Sequence, residues 1–89
     1  METLNMKEIT LDCSLFTHKA QLHQALFEAL ALPQWYGHNL DALFDCLTEL
    51  PEQTHLILKN WNTYTDGREG FDAVFADAAN CGCFHYTLA

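Results

Sequence analysis

Residues 31–48 read ALPQWYGHNLDALFDCLT, an aromatic loop followed directly by a helical pattern. Pro33 disfavours helical geometry at the residue before it, and Asn39 is a favourable N-cap for the segment that follows. A helix should therefore begin at Leu40. The apolar residues of this segment recur at the spacing of one buried stripe, namely Leu40, Leu43, Phe44, Leu47 and Leu50. We predict that this helix packs one face against a core.

The opposite face of the predicted helix is acidic. Asp41, Asp45 and Thr48 recur at i, i+4 and i+7, and no basic residue lies on the helix. Two carboxylates at i and i+4 cost a helix roughly 0.2–0.5 kcal/mol, whereas Lys or Arg at position 45 would stabilise it by about as much. The helix dipole explains Asp41 but not Asp45. A solvated face is the simplest interpretation, but Trp35 and Tyr36 precede the helix, and aromatic residues beside unpaired charges indicate a binding site.

The composition indicates one small acidic domain, residues 1–89. This length suffices for a single core, and a hydrophobic content of 49% excludes a disordered chain. The formal net charge is −8, with only four Lys and Arg residues. Because Lys and Arg carry the affinity for phosphates, this balance argues against RNA, DNA or an anionic membrane as a direct ligand. It favours a basic protein partner.

The sequence carries no pattern of a secretion signal or a membrane span. The N-terminus lacks a basic region followed by an apolar one, and no apolar run is long enough to cross a bilayer. We therefore expect a cytoplasmic protein. Its four cysteines are then expected to be reduced, namely Cys13, Cys46, Cys81 and Cys83.

Strand patterns recur along the chain and alternate with helical ones. Residues 9–12 and 84–88 alternate apolar and polar side chains, which is typical of strands. The nearly continuous apolar run at 55–58 predicts a middle strand covered on both faces. Because helices separate the strands, the pairing should be parallel through right-handed crossovers. The predicted fold is α/β, a small three-stranded parallel sheet flanked by helices.

Two further helices are predicted around this sheet. The first spans about 18–31, with Thr17 as its N-cap and Pro33 beyond its end. The second contains the apolar stripe of residues 71–78 and is closed by Gly82 as the residue after its C-cap. A turn-rich connection at 60–67 precedes it.

Two groups of residues invite a metal or an enzymatic interpretation. Cys81, Cys83 and His85 would share a face if extended, but short motifs are weakly specific, and the last turn of the preceding helix suits Cys81 better. Asp41 and Asp45 could form an acid/base pair or bind Mg²⁺, but catalysis by paired carboxylates needs a cleft, which an exposed helix does not make. We therefore predict a non-enzymatic protein without a metal or cofactor.

Much of the chain closely resembles the barstar family of intracellular inhibitors of barnase-type ribonucleases. The resemblance runs from His23 to Thr48, is most specific in the Tyr-Gly-x-Asn-Leu-Asp-Ala-Leu motif at residues 36–43, and resumes at 74–78 and 82–83. It implies a small parallel sheet flanked by helices. It also implies blockade of a ribonuclease active site by an acidic helix that imitates RNA phosphate.

The resemblance further implies roles for individual residues. Asp45 would occupy the position of a substrate phosphate, and Asp41 would engage a second basic group. The other expected contacts are Trp35, Tyr36, His38, Asn39, Phe44, Thr48 and Asp77. The implied partner is a basic barnase-type ribonuclease or a related toxin nuclease, bound by a chain that is monomeric before the complex forms.

Some positions depart from the family pattern. Trp35 stands where the family has tyrosine, His38 where it has glutamate, and Phe44 where it has tryptophan. These changes fall near the expected contact surface and indicate a different ribonuclease or weaker binding. Two other interpretations stay open. One is a non-inhibitory interaction module or an immunity protein for a different basic toxin, and the other is a small metal-dependent enzyme that uses Asp41 and Asp45.

Overall fold

A computed structural model describes residues 6–89 as a parallel sheet with helices. The elements are β1 (Lys7–Asp12), α1 (Lys19–Ala29), α2 (Leu40–Thr48), β2 (Thr54–Lys59), α3 (Arg68–Ala79) and β3 (Phe84–Leu88). Short 3-10 turns follow β1 at Cys13–Leu15 and β2 at Trp61–Thr63. The strand order is β1-β2-β3 and both pairings are parallel, which confirms the predicted α/β fold. Over these residues, no helix combines the length and apolar character needed to cross a membrane.

The middle position of β2 is confirmed, but the prediction that both its faces are covered is wrong. Thr54, Leu56 and Leu58 are buried, whereas His55 and Ile57 are only half-buried. The register places Glu8 and His85 beside His55, so these polar side chains share one face of the sheet with it. Polar residues keep this face solvated. We call it the open face, and its residues are Glu8, Thr10, Asp12, His55, Ile57, Lys59, His85 and Thr87.

The helices pack on the other face and enclose one core. Their innermost side chains are almost fully buried, namely Leu22 and Leu26 of α1, Leu43 and Leu47 of α2, and Phe71 and Phe75 of α3. Each such side chain contributes about 1.5–3 kcal/mol by leaving water. The apolar stripes read from the sequence therefore fix which face of each helix points inward.

Helix α2 begins where its cap predicts. The Oδ1 atom of Asn39 accepts a hydrogen bond from the Ala42 N–H at 2.8 Å, which satisfies one of the free donors of the first turn. Within the predicted stripe, Leu43 and Leu47 are fully buried, whereas Leu40, Phe44 and Leu50 are half-buried. The stripe thus runs from the core to the surface on the side of Phe44.

The ends of the other two helices differ from their predictions. Helix α1 has His18, not Thr17, at its N-cap, and the Oε1 atom of Gln21 accepts from the Thr17 and His18 N–H groups at 2.7 and 3.0 Å. Helix α3 ends at Ala79, so Cys81 and Gly82 lie beyond its last turn. Gly82 has φ 128° and serves the turn into β3, a conformation that favours glycine.

Candidate protein-binding site

The acidic face of α2 borders a shallow groove between α2 and α3. The groove has a volume of about 420 Å³ and is lined by Leu40, Asp41, Phe44, Asp45, Val74 and Asp77. Asp77 comes from α3, whose inner face carries Phe75 and Ala78 into the core and leaves Asp77 exposed. We call this surface the acidic groove. It unites four residues that the sequence predicts as contacts: Asp41, Phe44, Asp45 and Asp77.

The three carboxylates of the acidic groove are exposed and have no partner within residues 6–89. Among these residues, the carboxylate that does lie beside a basic side chain is that of Glu8, next to His55 on the open face. The side chain of Asp45 forms no hydrogen bond with residues 6–89, and its backbone carbonyl accepts one from Thr48 Oγ1 at 2.9 Å. The carboxylate oxygens of Asp41, Asp45 and Asp77 are therefore free to accept hydrogen bonds from a partner.

The floor of the acidic groove is apolar. Phe44 of α2 and Val74 of α3 are half-buried there, between the carboxylates of the two helices. Protein interfaces combine a desolvated apolar centre with a polar rim. The groove has this composition, with Phe44 serving both the core and the exposed surface.

The two aromatic side chains of the loop before α2 differ in exposure. Trp35 is 59% exposed, whereas Tyr36 is 4% exposed. The Tyr36 hydroxyl forms a hydrogen bond with Nδ1 of buried His23, and burial raises the pKa of Tyr36. Tyr36 is thus a core residue that supports the loop from beneath, and its contact with a partner stays a prediction.

The polar groups of three other predicted contact residues form hydrogen bonds within the chain. The Nδ1 atom of His38 lies 3.3 Å from the Tyr36 carbonyl oxygen, and its Nε2 atom lies 3.0 Å from Gln24 Oε1. Asn39 caps α2 with Oδ1 and donates from Nδ2 to the Gly37 carbonyl at 3.3 Å. Together with the Thr48 bond, these contacts make His38, Asn39 and Thr48 supports of the loop and helix that present the carboxylates.

Trp35 lies outside the acidic groove. It borders a separate pocket of about 270 Å³ between the loop and the C-terminal end of α2, with Leu32, Pro33, Cys46 and Leu50 among the lining residues. Of the predicted contacts, four thus line the acidic groove between α2 and α3, and the exposed indole of Trp35 lines this separate pocket.

Sequence reasoning missed the part played by His23. Its side chain is 3% exposed, and burial lowers its pKa to about 4, with the positive charges of His38 and Lys19 adding to the shift. The available signal is its position in α1, directly after Leu22 and three residues before Leu26. That position belongs to the buried stripe.

The cysteines and carboxylates assemble no metal-binding cluster in the part of the chain that the structure describes. Cys81 is exposed beyond α3. Gln53 contacts the other two residues: its Nε2 atom lies 3.7 Å from Cys83 Sγ, and its Oε1 atom lies 2.7 Å from His85 Nε2. All four cysteines are free, and Cys13 and Cys46 are buried. Burial raises the pKa of Cys13 to about 11, which makes it an unreactive packing residue.

Comparison with known proteins agrees with this geometry. Residues 6–82 match the model of the family described as Barstar (barnase inhibitor). A protein of Bacillus subtilis (strain 168) named "Putative ribonuclease inhibitor YrdF" is 44% identical over 59 residues, which span 63% of this chain and 63% of that protein. The family match includes α1, α2, the middle strand and α3. The chain therefore belongs to the Barstar family of barnase inhibitors.

Proposed function

We propose that this protein inhibits a basic, barnase-type ribonuclease by seating its acidic groove on the active site of the enzyme. One observation carries the proposal: three exposed carboxylates without partners in residues 6–89 surround an apolar floor, in a chain of net charge −8. An isolated charge cluster of this kind weakens α2, so its presence is best explained by a partner that supplies the missing cations. The membership of an inhibitor family supports the same conclusion.

Asp45 is the proposed phosphate mimic. It lies on the second turn of α2, flanked by Asp41 one turn earlier and by Asp77 across the groove. A ribonuclease that binds phosphate presents fixed arginine, lysine or histidine donors, and a carboxylate accepts charge-assisted hydrogen bonds from such groups. Asp41 and Asp77 then engage neighbouring basic groups on the rim of the enzyme site.

The rigidity of α2 favours tight binding. Leu43 and Leu47 anchor the helix in the core, and Asn39 fixes its first turn. Because the carboxylates already stand on a rigid element, little backbone order has to be gained on association. The exposed indole of Trp35 adds apolar area beside the helix, which suits contact with an aromatic or aliphatic surface of the enzyme.

We also propose that the protein acts as a monomer and in the cytoplasm. Four free cysteines match a reducing compartment, where an inhibitor would protect the cell from an active ribonuclease. The net negative charge steers the protein toward a basic enzyme, so association should be fast and should slow with added salt.

Inhibition of a purified barnase-type ribonuclease tests this proposal. The wild-type protein should inhibit at a one-to-one ratio, and inhibition should weaken at high ionic strength. Asp45→Ala should lose more than about 2 kcal/mol of binding free energy, the threshold of an interface hot spot. Glu8→Ala removes the same charge from the open face and should lose less than about 0.5 kcal/mol, since only long-range attraction changes.

Circular dichroism and thermal unfolding of both variants establish that they are folded. Equal losses for Asp45→Ala and Glu8→Ala would refute the assignment of the groove and leave net charge as the cause. A folded wild-type protein that inhibits no such enzyme would refute the ribonuclease partner. Capture of a basic protein without loss of nuclease activity would then favour a non-inhibitory interaction module.

A further inference from the structure

The pocket that Trp35 lines, at the C-terminal end of α2, combines an apolar wall with an exposed aromatic ring. The apolar wall is formed by residues of the loop and of the end of α2, namely Leu30, Leu32, Pro33, Cys46 and Leu50. The side chain of Trp35 is 59% exposed beside them. Tryptophan is enriched among the residues that dominate the binding energy of protein interfaces. We call this cavity the indole pocket, and its composition suits a side chain of a partner.

Two carboxylates lie beside this apolar wall. Glu49 and Glu52 line the indole pocket and are exposed, and within residues 6–89 neither carboxylate forms an ion pair. Burial raises the pKa of the Cys46 thiol, and the negative charges of Glu49 and Asp45 add to that rise. The wall at Cys46 therefore lies in a negative potential, although Lys7 lines the pocket as well.

The acidic face of α2 connects the indole pocket with the acidic groove. Glu49, the C-cap of α2, follows Asp45 by four positions, as Asp45 follows Asp41. Residues at this spacing are neighbours along one side of a helix. Asp41 and Asp45 line the groove, whereas Glu49 lines the pocket. A partner that covers this side of α2 thus reaches both sites.

We propose that the indole pocket receives an arginine side chain of the inhibited ribonuclease, packed on the indole of Trp35 and bound by the carboxylates of Glu49 and Glu52. This inference rests on the proposed function, since the arginine belongs to the enzyme that the acidic groove binds. The aliphatic stem of arginine matches the apolar wall. Its planar guanidinium stacks on an indole face and donates hydrogen bonds from its edge, whereas the ammonium of lysine has no planar face.

The charges of the pocket distinguish arginine from other occupants. A wholly apolar side chain would fill the cavity but would displace water from Glu49 and Glu52 without supplying hydrogen-bond donors, which is unfavourable. A second copy of this chain carries the same net charge of −8, so like charges oppose its approach. Arginine supplies both the donors and the opposite charge.

Titration of the ¹⁵N-labelled protein with N-acetylarginine amide tests the indole pocket without a ribonuclease. N-acetylcitrulline amide is the control, because its side chain has nearly the same shape but no charge. The indole N–H signal of Trp35 and the amide signals of Glu49 and Glu52 should shift with the arginine compound, which should bind at least about threefold more tightly than the citrulline compound. Equal affinities, or shifts confined to Asp41 and Asp45, would overturn the proposal.

Inhibition of a purified barnase-type ribonuclease tests the same residues in the complex. Trp35→Ala should weaken inhibition by about tenfold or more, whereas Trp35→Phe, which keeps an aromatic face, should retain most of it. Glu49→Gln should weaken it by about two- to fivefold, the range of one exposed ion pair. Glu8→Gln removes the same charge from the open face and should change it by less than about twofold.

The two experiments separate this inference from the proposed function. Equal effects of Glu49→Gln and Glu8→Gln would overturn the role of the indole pocket, while a large effect of Asp45→Ala would still support the acidic groove. If the folded wild-type protein inhibits no such enzyme, the proposed function fails. The titration with the two amides then decides by itself whether the pocket binds an arginine side chain.

Discussion

The acidic groove and the open face of the sheet both present carboxylates to solvent, but within residues 6–89 those of the open face have partners and those of the groove have none. On the open face, Glu8 Oε2 lies 3.5 Å from His55 Nδ1. Asp12 Oδ1 accepts from Asn60 Nδ2 at 2.9 Å and from the Ser14 N–H at 3.1 Å. In the groove, the carboxylates of Asp41, Asp45 and Asp77 form no such contact within residues 6–89. The negative charge of the chain thus has two different uses.

The open face shows what a structural carboxylate does. The hydrogen bond from Asn60, followed by those from Ser14, lowers the pKa of Asp12 and ties the end of β1 to the loop after β2. The groove carboxylates tie nothing together and repel one another along α2. Their arrangement costs stability and leaves their acceptor capacity for another molecule. This difference leads to three predictions about the free protein.

Acid should destabilise the protein without involving the groove. Unfolded His23 takes up a proton at its ordinary pKa of 6.5, whereas the folded state does so only near 4, so stability is complete above pH 6.5 and falls as the pH decreases toward 4. The loss from His23 should be roughly 3 kcal/mol. Urea unfolding of the wild type and of the Asp41→Asn/Asp45→Asn variant should show the same decline. A flatter profile in the variant would show that the groove carboxylates also stabilise the fold.

Reversing one groove charge should stabilise the free protein. Asp45→Lys removes the repulsion with Asp41 and creates an i, i+4 ion pair in its favourable orientation, so the free energy of unfolding should rise by up to about 1 kcal/mol. Chemical denaturation at neutral pH measures the change. Glu8→Lys is the matched control, since it replaces a partnered carboxylate by a cation beside His55 and should give no gain. A loss of stability in Asp45→Lys would reveal a structural role for Asp45.

Neutralising the partnered carboxylate of the open face should have the smallest effect. Glu8 is exposed, and exposed ion pairs contribute little to stability. Glu8→Gln should therefore change the free energy of unfolding by less than about 0.5 kcal/mol, as should Asp77→Asn in the groove. Denaturant midpoints at pH 7 give both values. If Asp77→Asn lowered the free energy of unfolding more than Glu8→Gln does, the groove carboxylate of Asp77 would contribute to stability, contrary to this prediction.

Local sequence patterns predicted much of this fold. The stripe from Leu40 to Leu47 and the Asn39 cap located α2, and the alternation at 84–88 located β3. These signals depend on neighbours within one or two turns, where spacing alone decides which side chains share a face. The same spacing put Asp41 and Asp45 on one exposed face, so the centre of the candidate site was readable from sequence.

Long-range packing decided the rest. Asp77 lies 32 positions after Asp45 and reaches the groove through the packing of α3 on α2. Gly70 lies at this contact, where an added Cβ would come within 2.6 Å of Leu40 Cδ1. The buried hydroxyl of Tyr36 has its hydrogen-bond partner in His23 of helix α1. The polar character of the open face depends on the residues of β1 and β3 that pair with β2. Periodicity and caps are properties of short segments, and they determined the elements. The convergence of side chains from separate elements is a property of the packed core, and it determined the groove and the role of Tyr36.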